Sequence, residues 1–128
     1  MLDYVEAKQL FVDCLTRDAT AHETGRFADV GDGFDNLDGQ LPRNHDAEFD
    51  KLFIALNFWD GWIDARNHDW RYYKGIGQAD WPRLARSIAS NLSQDREITD
   101  PLVLAHFDFR NRVESKGPIA RLLDRILR

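Results

Sequence analysis

This 128-residue sequence predicts an all-α fold: a single compact domain of four to five helices, residues 1–128, around one aromatic-rich core. Three observations predict it. Apolar residues recur at three- and four-residue spacing over long stretches free of Gly and Pro, the period of a helix buried on one face. Helix-opening signals, an Asp with a Pro one or two residues on, occur at Asp80 and at Asp100. Four Trp, eight Phe and 43% hydrophobic residues supply a core at the usual length of one domain.

The first helix is expected from Leu2 to about Ala21, where Tyr4, Ala7, Leu10, Phe11, Cys14 and Leu15 share a face. From Glu23 to Arg43 neither period survives among Gly25, Gly31, Gly33, Gly39 and Pro42, so a long acidic loop between the first two helices is expected. A central helix should follow from Asn44, which can cap, to about His68. Its apolar positions, among them Phe49, Leu52, Leu56, Phe58, Trp59, Trp62 and Ile63, cover an arc of roughly 220°, which calls for burial on most sides. A turn at Lys74-Gly75-Ile76-Gly77 leads to a third helix from Asp80 to about Ser93, with Leu84, Ala85, Ile88, Ala89 and Leu92 on one face. A short helix should begin at Asp100-Pro101 with Leu102, Val103, Leu104 and Phe107, while Asp108 to Lys116 carries no clear pattern. Gly117-Pro118 opens a last helix striped by Ile119, Leu122, Leu123, Ile126 and Leu127.

Charge is unevenly laid out under a net −5: residues 1–60 hold 5 basic and 13 acidic side chains, residues 61–128 hold 12 and 9. The two halves can attract each other, or each can face an outside partner. The acidic total disfavours a nucleic acid, whose binding relies on neutralising phosphates. It suits docking of a basic protein partner, in the manner of small inhibitor or immunity proteins that cover a positive cleft. Asp29, Asp32, Asp35 and Asp38 in the long loop are the steering residues of that reading. Trp70, Tyr72 and Tyr73, outside the strong periodicity and beside a Gly turn, are its aromatic anchors. Met1 to Leu10 carries Asp3, Glu6 and Lys8, and the longest apolar run is Leu52 to Leu56, so neither a signal peptide nor a membrane span is expected. The single Cys14 fits a reducing, cytoplasmic setting.

The rival reading is a small helical enzyme or ligand-binding bundle. Asp60, Asp64 and His68 stand at i, i+4 and i+8 on one helix face, close enough to share a proton or a ligand. No Glu has a His three residues on, so no helical di-metal pair is present and no metal or cofactor is expected. The alternative for the stripe is the one solvated edge of a buried helix, with His68 paired to Asp64. The run from Asp29 to Gly39 fails as a calcium loop, because placing either Gly33 or Gly39 at the sixth position puts Ala28 or Phe34 at the first ligand position. Cys14 lies on an apolar face, Ser87, Ser90 and Ser93 lack a strand-turn-helix elbow, and Gly75-Ile76-Gly77 follows no apolar strand, so nucleophilic and dinucleotide chemistry have no frame.

One short signal remains. Arg17-Asp18-Ala19-Thr20-Ala21-His22 is similar to the Arg, polar residue, three residues, His motif of the small helical HEPN ribonucleases. That resemblance covers six residues and implies Arg17 and His22 around an RNA phosphate. In a continuous helix, five residues of a 3.6-residue period set them about 140° apart.

Overall fold

A computed structural model describes residues 2–42, 46–67 and 72–114, with five α-helices and no strand among them. Helix α1 (Tyr4–Glu23) starts where the Asp3 carboxylate accepts the Glu6 backbone N–H at 2.8 Å, a side-chain cap on an otherwise unpaired donor. It buries Ala7, Phe11, Leu15 and Ala19, one residue per turn, together with Asp18 and Ala21. Leu10, expected on this face, is 41% exposed, and Tyr4 and Cys14 are half-buried.

The expected loop from Glu23 to Arg43 is more structured than its pattern. A 3-10 turn spans Phe27–Asp29, and a short helix, α2 (Phe34–Gly39), follows. Gly25, Gly31 and Gly33 adopt positive φ and redirect the chain between these pieces. Fewer than two turns expose no period, which is why only isolated Val30, Leu37 and Leu41 mark the buried points.

The central helix, α3 (Asp50–Arg66), begins later than expected. A 3-10 turn, Ala47–Phe49, precedes it and buries Phe49, whose ring meets Tyr4 edge-on at 5.7 Å. Asn44, proposed as the cap, lies outside the described residues, as do His68, Trp70 and the C-terminal helix expected from Gly117. The wide apolar arc is real: Leu52, Ala55, Phe58, Trp59 and Trp62 are all at most 1% exposed. Helix α4 (Asp80–Ser93) follows its expected bounds and buries Trp81, Leu84, Ala85, Ile88, Ala89 and Leu92. Helix α5 (Pro101–Glu114) opens with Asp100 accepting the Leu102 N–H at 2.9 Å and continues through part of the stretch that had no pattern. Its inward side is Val103, His106, Phe109 and Arg110, not the Leu102 to Phe107 set alone, and Leu104 is 39% exposed.

The main packing pairs are α1 with α4 and α3 with α5. Between α4 and α5, Asp95 takes φ of 52° and receives Lys8 Nζ at 2.9 Å, while its carbonyl receives Lys51 Nζ at 3.3 Å. One residue thereby ties the starts of α1 and α3 to the end of α4. Among the described residues no helix is long and apolar enough to cross a membrane.

Candidate functional site

The two carboxylates of the α3 stripe, Asp60 and Asp64, reach toward α5, with Asp64 buried and Asp60 partly exposed. Arg110, fully buried, donates to Asp64 Oδ2 at 2.5 Å and also to Asp60 Oδ2. Asp64 is 6% exposed, and Gly61 between the two carboxylates is buried. This corrects the expectation of a solvated edge: a guanidinium from a helix some fifty residues away occupies the position that an incoming ligand would take. His106 lies one turn before Arg110 and is also fully buried; its Nε2–H donates to the Asn57 carbonyl at 3.0 Å, and its Nδ1 has no hydrogen-bond partner among the described residues. Burial first, then the Arg110 charge, push its pKa down to about 4 against the pull of the Asn57 carbonyl. Among the described residues no three His, Cys, Asp or Glu stand where they could hold one metal ion.

A second buried carboxylate organises the other side of α3. Asp18 Oδ2 accepts the Trp59 indole N–H at 2.6 Å and the Gly31 backbone N–H at 2.8 Å, and Oδ1 accepts Arg17 Nε at 3.4 Å. Burial raises its pKa while these donors oppose the rise. Arg17 donates onward to the Asp32 carbonyl at 2.6 Å, and Arg66 donates to the Phe27 and Val30 carbonyls at 3.1 and 2.5 Å. The segment carrying Asp29, Asp32 and Asp35 is therefore held from beneath by backbone contacts, with those three side chains exposed and Asp38 half-buried.

The last turns of α1 and α3 and the first turn of α4 converge on a cavity of about 390 Å³. From α1 comes His22, from the 3-10 turn Phe27, from α3 Trp62, Ala65 and Arg66, from the turn segment Tyr72, Ile76 and Gln78, and from α4 Trp81. Trp62 and Trp81 lie nearly parallel, 7° apart with centroids at 6.5 Å. The Trp62 indole N–H donates to His22 Nδ1 at 3.3 Å, which leaves the proton of the neutral imidazole on Nε2. Burial pushes the His22 pKa down, so the ring enters the site as a neutral donor. Phe27 meets His22 edge-on at 5.0 Å and is 44% exposed, forming the rim. Outside the lining, Lys74 Nζ sits 4.3 Å over the Tyr72 ring and donates to its hydroxyl at 3.2 Å. The wall is thus largely apolar, with a few polar groups, the usual make-up of a small-molecule site.

The sequence-level candidates scatter. Asp60 and Asp64 meet each other through Arg110, while His68 lies outside the described residues. Arg17 and His22 are not brought together: Arg17 lines a groove with Thr16, Thr20 and Arg26, and His22 lines the aromatic cavity. Tyr72 reaches the cavity, but Tyr73 packs on Phe109 at 6.0 Å, and both are half-buried, not projecting anchors. His22, Phe27, Trp62 and Ile76 were not foreseen as one site. The only early signals were His22 in the six-residue motif and the density of aromatics after Phe58. Comparison with protein-family models, with curated proteins and with solved structures returns no match.

Proposed function

We propose that this chain is a small-molecule-binding helical domain whose ligand occupies the cavity between the ends of α1 and α3 and the start of α4. The carrying observation is the cavity's composition: a parallel Trp62–Trp81 pair beside a neutral His22 donor, at a volume within the roughly 300–1,000 Å³ of ligand pockets. Binding is favoured over catalysis because the described lining has no Ser, Cys, Asp or Glu to act as nucleophile or carboxylate base. The test is a titration of ¹⁵N-labelled protein with small apolar and aromatic compounds, read at the Trp indole N–H signals. The Trp62 and Trp81 signals should move while that of Trp59, held by Asp18, stays, and Ala65→Phe should abolish the response by filling the cavity. Indole signals unmoved by every compound at millimolar concentration would overturn the reading.

The acidic docking face is a second reading, favoured by the outward carboxylates of Asp29, Asp32 and Asp35 on a backbone fixed by Asp18, Arg17 and Arg66. Replacing Asp29, Asp32, Asp35 and Asp38 together by Asn should leave stability nearly unchanged. It should slow association with a lysine-rich peptide, most at low salt, because exposed charges are screened over about 8 Å at physiological ionic strength. An unchanged on-rate removes this reading and leaves the cavity standing.

A further inference from the structure

We infer that the cavity takes a compact, uncharged, mainly apolar molecule and that a proton on His22 gates it, the ligand being held while the imidazole is neutral and released when it is charged. The inference rests on the ligand-binding reading and names a ligand class and a control for the same site. The lining argues for an uncharged ligand. Arg66 is the one charged side chain among the described lining residues, and it is committed to the Phe27 and Val30 carbonyls, so it offers an anion no open counter-charge. No carboxylate stands in the described wall to receive a cation. Trp62 and Trp81, 1% and 3% exposed, stack on each other, which leaves the accessible wall to Phe27, Ala65 and Tyr72, with Gln78 as a neutral polar group. A charge entering such a wall gives up its hydration for no partner.

The gate follows from one hydrogen bond. The Trp62 indole N–H can only donate, so the His22 Nδ1 that meets it at 3.3 Å carries a lone pair. An imidazolium has an N–H on both ring nitrogens, so neither this ring orientation nor its flip could accept from Trp62. Charging His22 therefore sets donor against donor at the cavity wall, where Phe27 also covers the ring edge-on at 5.0 Å. The charged groups of the surrounding elements are engaged: Glu23 with Arg86 of α4 at 2.5 Å, Asp80 with Arg83 at the start of α4 at 3.3 Å, and Arg26 with Asp29 of the 3-10 turn at 3.9 Å. Arg66 of α3 is held by its two carbonyls, and Lys74 of the turn segment by Tyr72. Of these, Glu23 draws a proton toward His22, and burial outweighs that pull. A ligand in the cavity buries the ring further, so the occupied site holds the proton less well than the empty one, and affinity must rise with pH through the titration of His22.

Benzyl alcohol, benzoate and benzylammonium, similar in size and different in charge, are titrated into the unaltered ¹⁵N-labelled protein while the indole and histidine ring signals are followed. At neutral pH benzyl alcohol should move the Trp62 and Trp81 signals and bind at least about tenfold more tightly than either ion. Long-range ¹⁵N couplings should show His22 neutral with its proton on Nε2. On acidification the affinity for benzyl alcohol should fall by up to about tenfold per pH unit, setting in at the midpoint of the His22 ring signals of the free protein. In His22→Phe the affinities at neutral and acid pH should stand in a ratio near one, whatever their absolute level, which separates His22 from every other titrating group; the Trp59 indole signal reports whether that variant is folded. Where it does not fold or bind, the coincidence of the two midpoints in the unaltered protein decides. An ion that binds as tightly as the alcohol overturns the uncharged class. A pH-independent affinity, a fall away from the His22 midpoint, or one that persists in His22→Phe overturns the gate; these outcomes leave the cavity reading in place. No response to any probe overturns the inference and the cavity reading together.

Discussion

Arg110 is where sequence reasoning had least purchase. An Arg inside a patternless segment carries no sign that it will be fully buried between two carboxylates 46 and 50 positions away. The acidic stripe itself was legible, but its partner was not, because a period reports which residues share a face and nothing of what covers it. Removing Arg110 strands Asp64 in the interior, so Arg110→Met should cost about 3–5 kcal/mol. Asp60 is 34% exposed on its side chain, and Asp60→Asn should cost under about 1 kcal/mol. Urea denaturation of the two variants checks the ranking, and equal losses would mean that Arg110 is no more than a surface partner. His106 gives the chain an acid weakness. Unfolded, it takes its proton near pH 6.5; folded, only near pH 4, so between these values the unfolded state binds more protons and stability drops as pH falls. The loss reaches about 3 kcal/mol below pH 4. Asp18, with its raised pKa, acts in the opposite sense, since its folded form keeps a proton longer as pH rises. The difference between wild type and His106→Gln isolates the histidine: the variant's unfolding midpoint should change less between pH 7 and pH 4, and parallel profiles would refute the assignment.

At the level of elements, α1 and α4 were readable because a repeating face of four or more turns leaves a period in the sequence. The helix of Phe34–Gly39 left none, and the face of α5 was hidden by the polar His106 and Arg110 within it. Two glycines decide how elements meet. Gly61 brings α3 against α5: a Cβ there would overlap the His106 ring, so Gly61→Ala must displace a buried side chain. Gly31 has φ of 97°, and a Cβ there would stand 2.7 Å from Ile63 Cγ1, so a side chain meets backbone strain and a clash together. Gly61→Ala and Gly31→Ala are each expected to lose about 1–3 kcal/mol, whereas Gly39→Ala, with open space around its Cβ position, should be close to neutral. Thermal unfolding ranks the three. A neutral Gly61→Ala would mean that α3 and α5 are not in close contact.

For the whole molecule, the all-α class, the central position of α3 and the aromatic core followed from periodicity and composition. The cavity did not, because it joins residues from five segments whose only relation is spatial. Ion pairs cross between the acidic and basic halves at Glu23–Arg86 and Asp60–Arg110, so part of the charge asymmetry is satisfied within the chain. The pairing of α1 with α4 makes the fold depend on its later half. A fragment of residues 1–78 keeps α1 to α3 but loses the helix that packs most extensively on α1, and it should give a poorly dispersed NMR spectrum; a well-dispersed one would show that α4 is dispensable. The same pairing has a consequence during synthesis. At about 5–20 residues per second, some 70 residues separate the end of α1 from the end of α4, a wait of roughly 4 to 14 s on the ribosome. Through that interval the apolar side of the first helix lacks its main native partner, which makes the nascent chain a natural client for a holding chaperone and sets the completion of its packing by the pace of translation.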